Sequence, residues 1–248
     1  MMFHNLITTI KNRIAEKSVP ENKGRYERKF VVTGLKYQQI LSIIKHHPAF
    51  FSEIFKQRQI NNIYLDTPDL KTFFDNVYGN TYRTKIRIRW YGETFGLVKK
   101  PVLELKIKSG LAGRKRSYAL NPFMLDSNFN RDTLKAALAH PRLPDWVTEK
   151  VSSYVPALLN TYKRQYFLSA NRKMRLTVDE HMTYYAIGAW NNTFVKKYVE
   201  REAVIVEMKY DLESAHLASD ITQHFPMRMT KSSKYVNGID IFNPQLAL

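Results

Sequence analysis

From Gly24 onward, hydrophobic and polar positions alternate with a period of two, the pattern of strands with unlike faces. It predicts eight strands, near residues 25–33, 60–66, 84–91, 102–108, 114–120, 161–169, 173–180 and 203–211. Apolar positions at helical spacing fall between them, near 35–46, 68–77, 131–139, 145–154 and 213–224. Before Gly24 the period is helical: Phe3, Leu6, Ile7, Ile10 and Ile14 recur with Lys11, Arg13 and Lys17 between them, up to Pro20. Residues 1–23 are therefore expected to form an N-terminal amphipathic helix and linker, and residues 24–248 one domain. The helix either caps that domain or lies against a membrane surface or membrane-protein partner.

Alternation also says where charge goes. In Thr84-Lys-Ile-Arg-Ile-Arg-Trp90, Lys85, Arg87 and Arg89 share one face and Ile86, Ile88 and Trp90 the other. The next strand sets Glu104, Lys106 and Lys108 against Leu103, Leu105 and Ile107, and a later one sets Arg175, Thr177 and Asp179 against Met174, Leu176 and Val178. Residues 81–120 hold eleven Lys or Arg and only two acidic residues, so these faces repel themselves unless an anion lies between them. Carboxylates recur two residues before a lysine, in Glu27-Arg-Lys29, Glu104-Leu-Lys106 and Glu207-Met-Lys209. Hard oxygen ligands suit Mg²⁺ or Mn²⁺ bridging carboxylate and phosphate, which makes Glu27, Glu104 and Glu207 candidate metal ligands. The expected fold is α+β: a closed eight-stranded antiparallel β-barrel with a basic lumen and helices packed outside.

The 248 residues carry a net charge of +17 with 44% hydrophobic and 13% aromatic residues, enough for a core and a demand for an anionic partner. Carboxylates on the basic faces argue against nucleic acid and for phosphate chains. The absence of cysteine removes disulfides, thiolate metal sites and cysteine nucleophiles, and fits a cytoplasmic location. Asp66-Thr-Pro-Asp69 reads as a helix N-terminus capped by Asp66 or Thr67. Lys231 and Lys234, three residues apart, are expected on one side of a helical turn at a tunnel mouth. Tyr184, Tyr185 and Trp190 are read as packing residues rather than as a stack for adenine.

Taken in order, Tyr26-Glu-Arg-Lys-Phe30, Tyr64-Leu-Asp66, Arg87-Ile-Arg-Trp-Tyr-Gly92, Glu104-Leu-Lys106, Tyr162-Lys-Arg164, Arg175-Leu-Thr-Val-Asp179, Glu207-Met-Lys209 and Lys231-Ser-Ser-Lys-Tyr235 span roughly residues 24 to 240. This set resembles the VTC-type polyphosphate polymerase domain of the triphosphate tunnel metalloenzyme superfamily, which also holds the CYTH domains. The resemblance implies transfer of the ATP γ-phosphate to a polyphosphate chain inside the tunnel, with Mn²⁺ or Mg²⁺ required. By motif position Lys29, Arg87, Arg89, Lys106, Arg164, Arg175, Lys231 and Lys234 would hold phosphates and Glu207 the metal. Lys115 would join them, with Arg114 or Arg116 as alternatives in that register. The same lining would also suit an inorganic triphosphatase or a non-catalytic polyphosphate-binding sensor. Arg25 stands where the CYTH pattern has the first of two glutamates, which looks like the VTC version. Eukaryotic polymerases of the family are joined to transmembrane parts, which this sequence lacks, so export of product would need a separate partner.

Overall fold

Residues 25–109 and 112–246 are described by a computed structural model; the helix expected before Gly24 lies outside them. The strands are β1 (Arg25–Val32), β2 (Ser52–Asp66), β3 (Tyr82–Tyr91), β4 (Gly96–Val98), β5 (Val102–Ser109), β6 (Ala112–Ala119), β7 (Phe123–Leu125), β8 (Val155–Leu168), β9 (Arg175–Tyr185), β10 (Lys197–Val199) and β11 (Val204–Asp211). The helices are α1 (Tyr37–Lys45), α2 (Lys71–Val77), α3 (Arg131–Leu138), α4 (Asp145–Val151), α5 (Ala215–Gln223) and α6 (Lys234–Phe242). Each expected strand is present, with β2 and β8 starting earlier than the alternation indicates; β4, β7, β10 and α6 are additions. No described helix is long and apolar enough to cross a membrane.

Nine strands form one antiparallel sheet in the order β1-β11-β9-β8-β2-β3-β5-β6, with β10 paired to β9, while β4 and β7 form a separate ribbon. The expectation of a closed eight-stranded barrel is corrected here, because β1 and β6 end the sheet and are not paired with each other. The free edge of β1 is taken instead by the chain leading into α6. Phe30 bridges Met229, the Thr230 amide donates to the Lys29 carbonyl at 2.9 Å, and the Val31 amide donates to the Thr230 hydroxyl at 3.0 Å. The sheet nevertheless curls until β5, one strand in from the β6 end, meets β1 through side chains: Lys106 on β5 lies 3.7 Å from Glu27 on β1.

Two apolar clusters cover the outside. Ile86, Ile88, Trp90, Leu103 and Leu105 pack under Leu134 and Leu138 of α3 and Val147 and Val151 of α4. Phe30, Leu176, Val178, Val206 and Met208 pack under α1 and α5. The apolar-out, basic-in arrangement read from β3 and β5 is thus what the helices bury.

A third cluster lies inside. Tyr235 and Ile239 of α6 meet Ile60, Tyr64, Leu158, Tyr162, Met182, Tyr184 and Ile205, so α6 plugs part of the bore. A bulge in β9 makes room for it: Lys163 pairs with Glu180 and Thr161 with Thr183, leaving two residues opposite one. His181 takes φ 51° there. The inward set accordingly changes from Thr177 and Asp179 to Met182 and Tyr184.

Gly238 is where α6 touches the wall. A Cβ at that position would lie 2.3 Å from Leu158 Cδ2 and 2.8 Å from Tyr184 Cδ1. Gly238→Ala is expected to lower stability by about 1–3 kcal/mol through overpacking, although alanine is otherwise the better helix former. Denaturant unfolding measures the change, and unaltered stability would mean that α6 is not seated against β8.

A basic tunnel as the candidate functional site

The inner faces of β1, β3, β5, β6, β8 and β11, with the start of α6, enclose a cavity of about 430 Å³ lined by ten Lys or Arg and three Glu. Its charges fall into three groups. On β3, β5 and β6, Glu104 accepts from Arg87 at 2.7 and 2.8 Å, lies 3.7 Å from Arg89, and pairs closely with Lys115. On β1 and β11, Glu27 lies 2.8 Å from Lys29, and Glu207 lies 3.2 Å from Lys209 and 3.5 Å from Lys29. Behind them, buried Asp179 accepts from Arg164 at 2.5 and 2.6 Å and from Lys234 at 2.5 Å. Arg164 and Lys234 also reach Glu207, at 3.5 and 3.8 Å.

Neutral side chains aim these cations. Arg89 donates to Asn62 at 2.9 Å and to the Tyr162 hydroxyl at 3.2 Å, while Arg164 and Lys234 lie over the Tyr162 ring. Asp66, fully buried at the end of β2, accepts from the amides of Thr72 and Phe73 at 2.8 and 2.9 Å and from the Tyr235 hydroxyl. It therefore serves the first turn of α2 from a distance, since Leu70 and not Asp66 or Thr67 occupies the cap position. By tying α2 to α6, Asp66 fixes where Lys234 emerges.

Glu27, Glu104 and Glu207 are held ionised. Burial pushes Glu104 up, but Arg87, Arg89 and Lys115 outweigh it and bring it to about 2. Burial and the neighbouring Glu207 push Glu27 up, and Lys29, Lys106 and Lys209 together take it below its ordinary value. Glu207 is driven well below the usual range against its own burial by Lys209, Lys29, Lys234 and Arg164. These groups contribute stability above their unfolded values, and that contribution is lost as pH falls.

Lys85 behaves differently. Its ammonium donates to the Ser233 hydroxyl at 2.9 Å, and among the described residues it has no carboxylate partner. Burial lowers its pKa, and Lys29, Lys106, Arg83 and Arg87 add to the effect, bringing it to about 7. Between that value and its ordinary 10.5, the unfolded chain holds a proton that the folded chain lacks. Lys85 therefore costs stability as pH falls through this window, with no further change below it. An anion entering the cavity restores the proton. Titration with tripolyphosphate at pH 8 in buffers of different ionisation enthalpy is expected to show about one more proton taken up by the wild type than by Lys85→Gln. Equal uptake would mean that Lys85 does not meet the anion.

The structure brings Lys29, Arg87, Arg89, Lys106, Lys115, Arg164 and Lys234 into one cavity with Glu27, Glu104 and Glu207. Arg114 also borders it, whereas Arg116 lies over the Trp146 ring, 5.1 Å from its centroid, outside. Arg175 and Lys231 are exposed and lie outside the lining. Lys231 precedes α6 while Lys234 opens it, so the two do not share a helical turn. Lys85, Lys209 and Tyr162 belong to the lining as well. Alternation placed Lys85 on the inner face, but its lack of a carboxylate partner depends on contacts between distant strands.

A curved antiparallel sheet around a phosphate-sized basic cavity defines a triphosphate-tunnel protein. Residues 24–243 match the family described as VTC domain, and the chain belongs to that family. A comparison with curated proteins gave no match. Among solved structures, a Vibrio parahaemolyticus protein assigned as an adenylate cyclase is similar at 11% identity, over 85% of this chain and 96% of that one, with a TM-score of 0.48. A Hippeastrum protein, assigned as an adenylyl cyclase and described as having a dominant triphosphatase activity, is similar at 14% identity, over 90% and 98%, with a TM-score of 0.48. A Pyrococcus horikoshii protein gives 12% identity, 89%, 99% and 0.46. These are distant likenesses.

Proposed function

We propose that the protein is a metal-dependent polyphosphate polymerase that transfers the γ-phosphate of ATP to the end of a polyphosphate chain within the cavity. An oxygen of the terminal phosphate forms a bond to the γ-phosphorus as the bond to the ADP oxygen breaks, leaving ADP and a chain one unit longer. The acceptor is already ionised, so no protein base is required, and positioning with charge neutralisation supplies the catalysis. The observation that carries this reading is the state of the lining carboxylates. Glu27, Glu104 and Glu207 are each held in ion pairs with lining lysines or arginines, at 2.8 Å from Lys29, 2.7 Å from Arg87 and 3.2 Å from Lys209, which leaves them poor bases for activating water and suits a reaction that needs none.

Arg87, Arg89, Lys106, Lys115, Lys29, Arg164 and Lys234 hold phosphate oxygens in this reading, with Arg175 and Lys231 receiving the chain outside. Glu27 and Glu207, on the inner faces of adjacent strands, fit a Mg²⁺ or Mn²⁺ ion that takes its remaining ligands from phosphate and water. Among the described residues no three metal-ligating side chains converge, which agrees with a cation shared with substrate. Glu104, on β5 among Arg87, Arg89 and Lys115, serves in this reading to orient them. When bound, the ion neutralises charge on the transferring phosphoryl group. Incubation with ATP and either ion, followed by separation of products by chain length, tests the proposal. Long polymers are expected; orthophosphate as the sole phosphate product would assign a triphosphatase, and unchanged ATP a binding module.

A further inference from the structure

Beyond the phosphate-binding side chains, the same inward faces change character. Arg58 on β2 is the register partner of Arg164, and Phe55, across a bulge, is the partner of Tyr166. Tyr166 stands two residues past Arg164 on β8, as Tyr91 stands two past Arg89 on β3, about 7 Å further along each strand. The Arg58 guanidinium lies 4.7 Å from the Phe55 ring centroid, 5.7 Å from that of Tyr166 and 5.8 Å from that of Tyr91. The Phe55 and Tyr166 rings meet edge to face, 5.7 Å apart at 89°.

Three rings gathered on an arginine at a sheet edge would be unremarkable if they covered one another. They do not: Phe55 is 49% and Tyr91 55% exposed. Among the described residues Arg58 has no ion pair or hydrogen bond, so its N–H donors are unspent. Of the aromatic residues read as packing from sequence, Tyr184 is buried against α6 and Tyr185 packs on the cluster under α3, whereas Trp190 is 73% exposed and does not pack as expected.

We propose that Phe55, Arg58, Tyr91 and Tyr166 form a stacking platform for the base of a nucleoside triphosphate whose phosphates occupy the cavity. The inference rests on the reading that the phosphate donor is a nucleotide. Arg89 and Arg164 are the lining cations nearest the rings along their strands, each two residues from Tyr91 or Tyr166. Because stacking reads a π-face and not a hydrogen-bond pattern, the platform accepts purines with little preference among them.

Calorimetric titration of the full chain in Mg²⁺ with ATP, GTP and inorganic tripolyphosphate tests the platform. The variants are Arg58→Gln, Phe55→Ala/Tyr91→Ala and Phe55→Trp. Both rings removed in the double variant are half exposed, so its fold is expected to survive. The Arg58 and double variants are expected to bind ATP and GTP about ten- to a hundredfold more weakly, with tripolyphosphate within about twofold of wild type, while Phe55→Trp retains nucleotide binding. Equal loss for all three ligands would make the cluster a phosphate contact and overturn the platform, as would unchanged nucleotide binding. Wild-type protein that binds tripolyphosphate but neither nucleotide would overturn the nucleotide-donor reading and the platform with it.

Discussion

Lys234→Ala is expected to reduce ATP turnover at least about a hundredfold and to lower stability by about 3 kcal/mol or more. Lys234 is buried, and its ammonium lies 2.5 Å from Asp179, which is fully buried and shared with Arg164. Removing the lysine leaves Asp179 and Glu207 with less compensation while taking a cation from the proposed phosphate path. Burial alone would lower the Lys234 pKa, but Asp179 and Glu207 hold it above its ordinary value, so the charge is present at neutral pH. Lys231→Ala, which changes an exposed side chain, is expected to leave stability within about 0.5 kcal/mol of wild type. Steady-state kinetics and denaturant unfolding of the two variants check the contrast, and a stable Lys234→Ala protein would show that Asp179 does not depend on it.

Glu207→Gln is expected to lower metal-dependent turnover by about a hundred- to a thousandfold and also to destabilise the empty protein. The carboxylate lies within 4 Å of Lys209, Lys29, Arg164 and Lys234, so its loss leaves four cations facing one another. Polyphosphate supplies the missing negative charge. In chelator, tripolyphosphate should therefore bind the variant at least as tightly as the wild type and raise its melting temperature more, by linkage. Weaker metal-free binding together with an unrecovered loss of stability would assign Glu207 a structural role instead.

The lumen was legible in the sequence because period-two alternation on β3 and β5 fixes both faces once a single residue is oriented. Curvature hides the rest. Lys234–Phe242 contains Gly238, Asn237 and three β-branched residues, weak helix formers that become a helix because Ser233 caps it and the bore buries Tyr235 and Ile239. The parity change at His181 follows from a bulge without Gly, Pro or Asn to announce it. The open edge of β1 depends on Met229 and Thr230, which lie in no strand of their own. Asp66 reads correctly as a capping carboxylate, but the left-handed Leu70, at φ 57°, postpones the helix it serves to Lys71.

A tube closed by backbone hydrogen bonds has a girth set by strand number and shear. Here the join between β5 and β1 is a contact between Lys106 and Glu27, 3.7 Å apart with the lysine largely in solvent, and it loosens as salt is added. Under the proposed function, a phosphate chain held between Lys106 and Lys29 would take over that join with more charge than Glu27 brings. The guest would then serve as a stave of the vessel that contains it.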